Sequence, residues 1–289
     1  MLDKDTQTQK ASGGALAVQS GRDTYVGMQY SEVKDLFELL LERNFPKLRQ
    51  EAIDESKLYV DKFAKELFGK ISSSQESVDV EEKFKKPGVQ ASINDGVMYV
   101  ARKTENADIG VISDLILLKL DSEDDSIKGI IVDESIAMLP RVNSNLIKLF
   151  ALSFYLRRLG AVPEIPKEEV LNAFYHNNLF ALFPLESVEN ADVNHMEYIN
   201  AVRSDKHYTT KLYEVINQRT GLNISSEDYS ENFESGGFMP DKLPYLTRLL
   251  QAYGFKNLSD FDQLVLSRVS EYLGLCYLRA KGLKLKDPF

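Results

Sequence analysis

Tryptophan is absent from the 289-residue sequence, cysteine occurs once and histidine three times. Each scarcity removes a class of chemistry. A single cysteine, Cys276, excludes an intrachain disulfide framework and favours a reducing compartment. It lies in the apolar run Leu273-Gly274-Leu275-Cys276-Tyr277-Leu278, where it reads as a small buried hydrophobe. His176, His195 and His207 stand apart from cysteine and from one another, without the spacings of a zinc site or an activated nucleophile. His195 and Glu197 are separated by one residue, which on a helix points them to different faces. No metal and no cofactor are expected.

Long hydrophobic runs are missing too. No stretch approaches the roughly 18 apolar residues of a membrane span, and the first twenty residues lack the basic start and apolar run of a secretion signal. The expected location is cytoplasmic. Positive charge is in the minority, with 35 Lys and Arg against 44 Asp and Glu and a net charge of −9. That balance opposes adhesion to nucleic acid or to an anionic membrane surface. Gly13-Gly14 and the stretch from Gly21 to Gly27 do not follow the GxxxxGK[ST] order of a phosphate loop.

What remains is 43% apolar and 27% charged residues, enough to bury a core. Helical periodicity dominates from Tyr30 onward, so the sequence predicts an all-α protein, an irregular multi-helix array or bundle with an extended N-terminal arm capable of β pairing. Val33, Leu36, Phe37, Leu40 and Leu41 fall at helical spacing before a break at Pro46. A second amphipathic helix is expected to about Gly69, a short charged one before Pro87-Gly88, and another over 89–102. Residues 108–120 are apolar almost all round, as in a central buried helix. Helices follow over 126–139, 143–159, 166–182, 190–204, 209–219, 240–253 and 259–281. The gap 224–239, with Gly236-Gly237, is the longest and is expected to be mobile. No constant period marks a solenoid. The organisation reads as an arm (1–29), a helical hairpin suited to oligomerisation (30–70), a central core (76–160) and a C-terminal helical region (161–289), in the same domain or a separate one.

Carboxylate pairs such as Glu81-Glu82 and Asp133-Glu134 are what a chain with 44 acids gives by composition, and read as solvated faces. Asp79-Val80-Glu81-Glu82-Lys83 has the Glu-x-Lys spacing of some nucleases, but that site needs strands and the surroundings read helical. Arg279, Lys281, Lys284 and Lys286 form a basic cluster that complements a helix C-terminus. No local constellation marks an enzyme. A helical enzyme would have to assemble its site from distant residues such as Asp114, Glu134, His176 and His195.

The arm, residues 14–27, has no core of its own to serve. Leu16, Val18, Gln19, Gly21, Tyr25 and Val26 are its candidates for self-association, because Val, Thr and Tyr favour extended backbone and stacked Gln side chains form hydrogen-bond ladders between copies. A disordered leader is the alternative. Val18-Gln19-Ser20-Gly21 resembles the apolar-Gln-apolar-Gly centre of amyloid-type homotypic motifs, from which Ser20 departs.

Further pieces are Gly27-Met28-Gln29-Tyr30-Ser31-Glu32-Val33-Lys34, Asn44-Phe45 through Glu51-Ala52, Pro87-Gly88-Val89-Gln90-Ala91, Asp108-Ile109-Gly110 and Leu115-Ile116. On these the chain resembles an uncharacterised bacterial family of helical proteins with an N-terminal Gln-x-Gly arm, encountered beside phage-defence genes. The resemblance implies a defence context and carries no catalytic residues. The leading expectation is a non-enzymatic, self-associating interaction protein. A helical enzyme, and a module that uses its acidic surface and residues 224–239 to bind another bacterial or phage protein, are the alternatives.

Overall fold

A computed structural model describes residues 29–44, 50–73, 80–123, 125–158, 167–175, 180–184, 190–203, 210–283 and 285. Among them the chain forms fifteen α-helices and a single pairing of two-residue strands, so the fold is all-α. Helix α1 (Tyr30–Asn44) buries Val33, Phe37 and Leu41, and α2 (Gln50–Ser73) buries Val60, Phe63, Ala64, Leu67 and Ile71. These stripes face each other. The Phe37 and Phe63 rings lie 4.9 Å apart, Tyr30 donates to Asp61 at 2.5 Å and Lys57 reaches Glu42 at 3.3 Å. Contacts that run backward along α2 as they run forward along α1 make the pair an antiparallel hairpin.

Helix α3 (Val80–Phe84) is a single charged turn and α4 (Pro87–Lys103) begins on its proline, whose fixed φ and missing N–H suit the first helical position. Gly96 of α4 sits where a Cβ would meet Phe63 and Ile112 side chains at 3.1 Å, so its small size lets α2, α4 and α5 (Ile109–Leu120) converge. The apolar girth of α5 finds neighbours on several sides, in α2, α4, α6 (Ile127–Met138) and α15 (Arg268–Ala280). Ser126 caps α6 by accepting from the Gly129 amide at 3.0 Å, and Asn143 does the same for Leu146 at the start of α7 (Ser144–Arg158), at 2.9 Å. The most extensive helix contact is α7 against α15. There Gly274 lies so close to α7 that an added Cβ would stand 2.6 Å from the Phe150 carbonyl oxygen.

The remaining helices are shorter. They are α8 (Lys167–Tyr175), α9 (Asn190–Tyr198), α10 (Leu212–Thr220), α11 (Ser226–Ser230), α12 (Phe238–Lys242), α13 (Pro244–Ala252) and α14 (Leu258–Asp262). Their buried side chains join those of the first seven helices in one contiguous apolar cluster. Four expectations are corrected here. The helix predicted over 190–204 stops at Tyr198, because Asn200 turns to a φ of 56°, and β1 (Val202–Arg203) follows. The helix predicted over 259–281 is divided into α14, β2 (Val265–Leu266) and α15, with β2 paired antiparallel to β1. Arg157 supplies the reason: its guanidinium takes the Asp262 carbonyl at 2.5 Å and the Leu264 carbonyl at 3.2 Å, oxygens that a continuous helix would use internally. Its Nη1 also pairs with the buried Asp262 carboxylate at 3.0 Å, which in turn accepts from the Tyr229 hydroxyl.

The third correction concerns residues 224–239, expected as a mobile gap. They hold α11, a 3-10 turn at Phe233–Ser235 and the start of α12. Ser225 and Asp228 form a capping box, Asn232 caps the turn, and Tyr229, Phe233 and Met239 are buried. Short polar residues that suggest a loop are here spent on helix ends. Residues 240–253, predicted as one helix, are broken at Leu243 ahead of Pro244 for the reason that proline lacks an amide.

Two glycine substitutions test this packing with opposite signs. Gly274→Ala is expected to lower unfolding stability by about 1–3 kcal/mol in urea titration, since backbone must give way. Gly69→Ala, on an exposed turn of α2 with open space around the new methyl, should raise it by up to about 1 kcal/mol.

Candidate functional site

An open cleft of ≈ 620 Å³ lies where three helices end or cross. Helix α2 contributes Lys62, Lys65 and Glu66, the turn into α5 contributes residues 107–111, and the end of α15 contributes Tyr277, Ala280 and Lys281. Gly110 allows this meeting: a Cβ on it would stand 2.7 Å from the Ala280 methyl. Lys70 of α2 bonds to residues of the lining and behind it, with its Nζ 2.5 Å from the Asp114 carboxylate, 3.5 Å from the Gly110 carbonyl oxygen and 3.6 Å from Glu66.

The cations around the cleft are held in different ways. Lys65 is paired with Asp61 at 2.7 Å. Lys62 stands over the Tyr59 ring, 4.2 Å from its centroid, and Lys281 stands 5.2 Å from that of Tyr277. Lys148 of α7 donates to the Phe183 carbonyl at 3.1 Å.

Asp108 precedes α5 at the N-cap, yet its carboxyl makes no cap hydrogen bond and its Oδ2 is buried without a partner. Its backbone amide donates to the Tyr99 hydroxyl at 2.9 Å. Burial pushes the Asp108 carboxyl above the usual carboxylate range, against the opposing pull of Lys281 and Lys148. Burial likewise lowers Lys148, which Asp108 counteracts and Lys281 reinforces. The Tyr277 hydroxyl is pushed up to about 12, by burial first and by Asp108 second. It donates to the Ala181 carbonyl at 2.8 Å.

The self-association residues Leu16, Val18, Gln19, Gly21, Tyr25 and Val26 lie outside the described residues, as do His176, His207, Lys284 and Lys286. Of the dispersed polar set, Asp114 pairs with Lys70, Glu134 is exposed on α6, and the His195 Nε2 lies 2.7 Å from the Arg141 carbonyl oxygen. None of these lines the cleft. The Glu81-Glu82 segment belongs to α3 rather than to a strand. Among the described residues no three His, Cys, Asp or Glu side chains are grouped to hold a metal, and no helix is long and apolar enough to cross a membrane. Cys276 is buried, as its apolar setting implies.

Sequence patterning does not single out the cleft residues. Lys62 and Lys65 look like ordinary solvated positions of an amphipathic helix, and only the approach of α15, some 215 residues further along, sets Lys281 across from them.

A protein-family model described only as “:-like” matches residues 27–265. The chain belongs to this family. The match runs from just before α1 into β2, so it takes in the cleft walls given by α2 and α5 and stops short of α15. The chain has no match among curated proteins and none among solved structures.

The burial of Asp108 gives a pH-dependent prediction. A carboxyl raised in the folded state keeps its proton longer there than in the unfolded chain. It therefore withdraws stability as pH rises from the unfolded carboxylate range through the folded pKa. Asp108→Asn should melt above the wild type at pH 7, and the gap should close on acidification below about pH 4. A gap that stays constant with pH would place the effect elsewhere.

Proposed function

We propose that this chain is a non-enzymatic helical interaction protein that associates with further copies of itself, in the cytoplasm of a bacterium, as a component of anti-phage defence. The defence and bacterial context rests on the family resemblance of the hairpin and core segments. The cytoplasmic placement rests on the single, buried Cys276.

The observation that carries self-association is the outer face of α6. Ile127 is 78% exposed and Ile130 52% exposed, one turn apart, and the exposed Glu134 and Ala137 continue the same stripe. Ile131 beside them packs against the core, so the helix is apolar on both its inner and outer sides at this end. A second copy that covered the stripe would gain about 1.5–3 kcal/mol for each isoleucine fully buried. Leu39 of α1 and Leu58 of α2, 59% and 53% exposed, give the hairpin apolar points as well, and the arm would add extended segments for pairing between copies. Recognition of a different protein through residues 224–239 receives less support, because Tyr229, Phe233 and Met239 face the core.

Light scattering of the full chain at micromolar concentration tests this reading. The expected result is an oligomer that Ile127→Asp/Ile130→Asp weakens about tenfold or more, and that Val18→Asp in the arm weakens separately. A wild-type chain that scatters as a monomer throughout the concentration series would end the proposal.

A further inference from the structure

We propose that the cleft between α2, the start of α5 and the end of α15 binds a phosphate-bearing small molecule of about nucleotide size. Charge and shape both lead there. In a chain of net charge −9, three lysines line the cleft against two carboxyls. Both carboxyls are muted: Glu66 lies beside Lys70, and burial favours the protonated form of Asp108. Lys62 and Lys281 are exposed, and neither makes an ion pair among the described residues; each rests over a tyrosine ring instead. Such ammonium groups keep donors free for an incoming anion.

The backbone agrees with this polarity. At the start of α5 the Ile109 amide bonds to the Ala107 carbonyl and the Val111 amide to the Asp108 carbonyl, which leaves the Gly110 amide, in the cleft lining, without a backbone acceptor among the described residues and uncapped by the Asp108 side chain. At the opposing end of α15 the chain turns back on itself. The amides of Lys281 and Gly282 bond to the carbonyls of Tyr277 and Arg279, and that of Leu283 to Leu278, so the negative end of that helix is covered. Ala107, Ile109 and Val111 give the cleft an apolar side for the organic part of a ligand. The ≈ 620 Å³ volume falls within the roughly 300–1,000 Å³ of small-molecule sites.

Isothermal titration of the full chain with ATP, inorganic pyrophosphate and adenosine tests the assignment. The expected result is ATP binding with a dissociation constant below about 1 mM, weakened by added salt. Lys62→Ala/Lys281→Ala should weaken it about tenfold or more, Lys62→Arg/Lys281→Arg should largely retain it, and Lys242→Ala, remote on α12, should leave it unchanged. Thermal melting of each variant confirms that the fold is intact. Pyrophosphate binding alongside ATP would identify the phosphates themselves as the recognised group, and ATP binding alone a nucleotide. Absence of heat with ATP and with pyrophosphate, adenosine binding as tightly as ATP, or affinity indifferent to the double alanine change would each overturn the proposal.

Discussion

The close seat of α15 on α7 is the contact on which the rest of the structure depends. With Gly274 against the Phe150 carbonyl, the two helices approach closer than any side chain at that position would permit. This lets Tyr272, Leu273, Leu275, Cys276 and Leu278 disappear into the core. The last long helix is thereby placed beside α5 and α6, helices more than a hundred residues earlier in the chain. Without that approach the end of α15 would have no fixed relation to α2, and the cleft would lack one wall.

Polar groups fix the direction in which the chain enters that helix. Arg157 near the end of α7 draws two carbonyls and the Asp262 carboxylate toward itself, and Tyr229 and the Leu212 amide bind the same carboxylate. A buried ion pair contributes little net stability over an apolar pair of the same shape, but its loss on one side leaves an uncompensated charge. Its value here is geometric: it ties α7, α10, α11 and α14 to one point and forces the break that separates α14 from α15. Glu271 extends the pattern by accepting from Arg158 at 3.0 Å and Arg268 at 2.7 Å.

The two faces proposed as functional differ in kind. The α6 face is exposed and apolar at Ile127 and Ile130, with Glu134 and Ala137 further along it, and is suited to a protein surface. The cleft is cationic, concave and assembled from three elements, suited to a small anion. Both lie on the same four-helix centre of α2, α5, α6 and α15, since α5 contacts the other three. A ligand at the start of α5 and a partner on α6 would therefore act on a shared core.

Periodicity alone determined much of this protein. The helical stripes of α1, α2 and α4, the all-round apolar character of α5, the caps Ser126 and Asn143 and the burial of Cys276 are local consequences of residue order. Spacing within a helix decides which side chains share a face, and short polar residues satisfy helix ends. Tertiary structure decided the rest. Residues 224–239 look like a loop because their polar side chains are locally ambiguous, and they became helical turns once Tyr229, Phe233 and Met239 had a core to enter. Residues 259–281 look like one helix, and were divided by a guanidinium about a hundred positions away. The cleft was invisible for the same reason: Lys62, Asp108 and Lys281 carry no mutual spacing, and only helix packing sets charges from distant segments around one cavity.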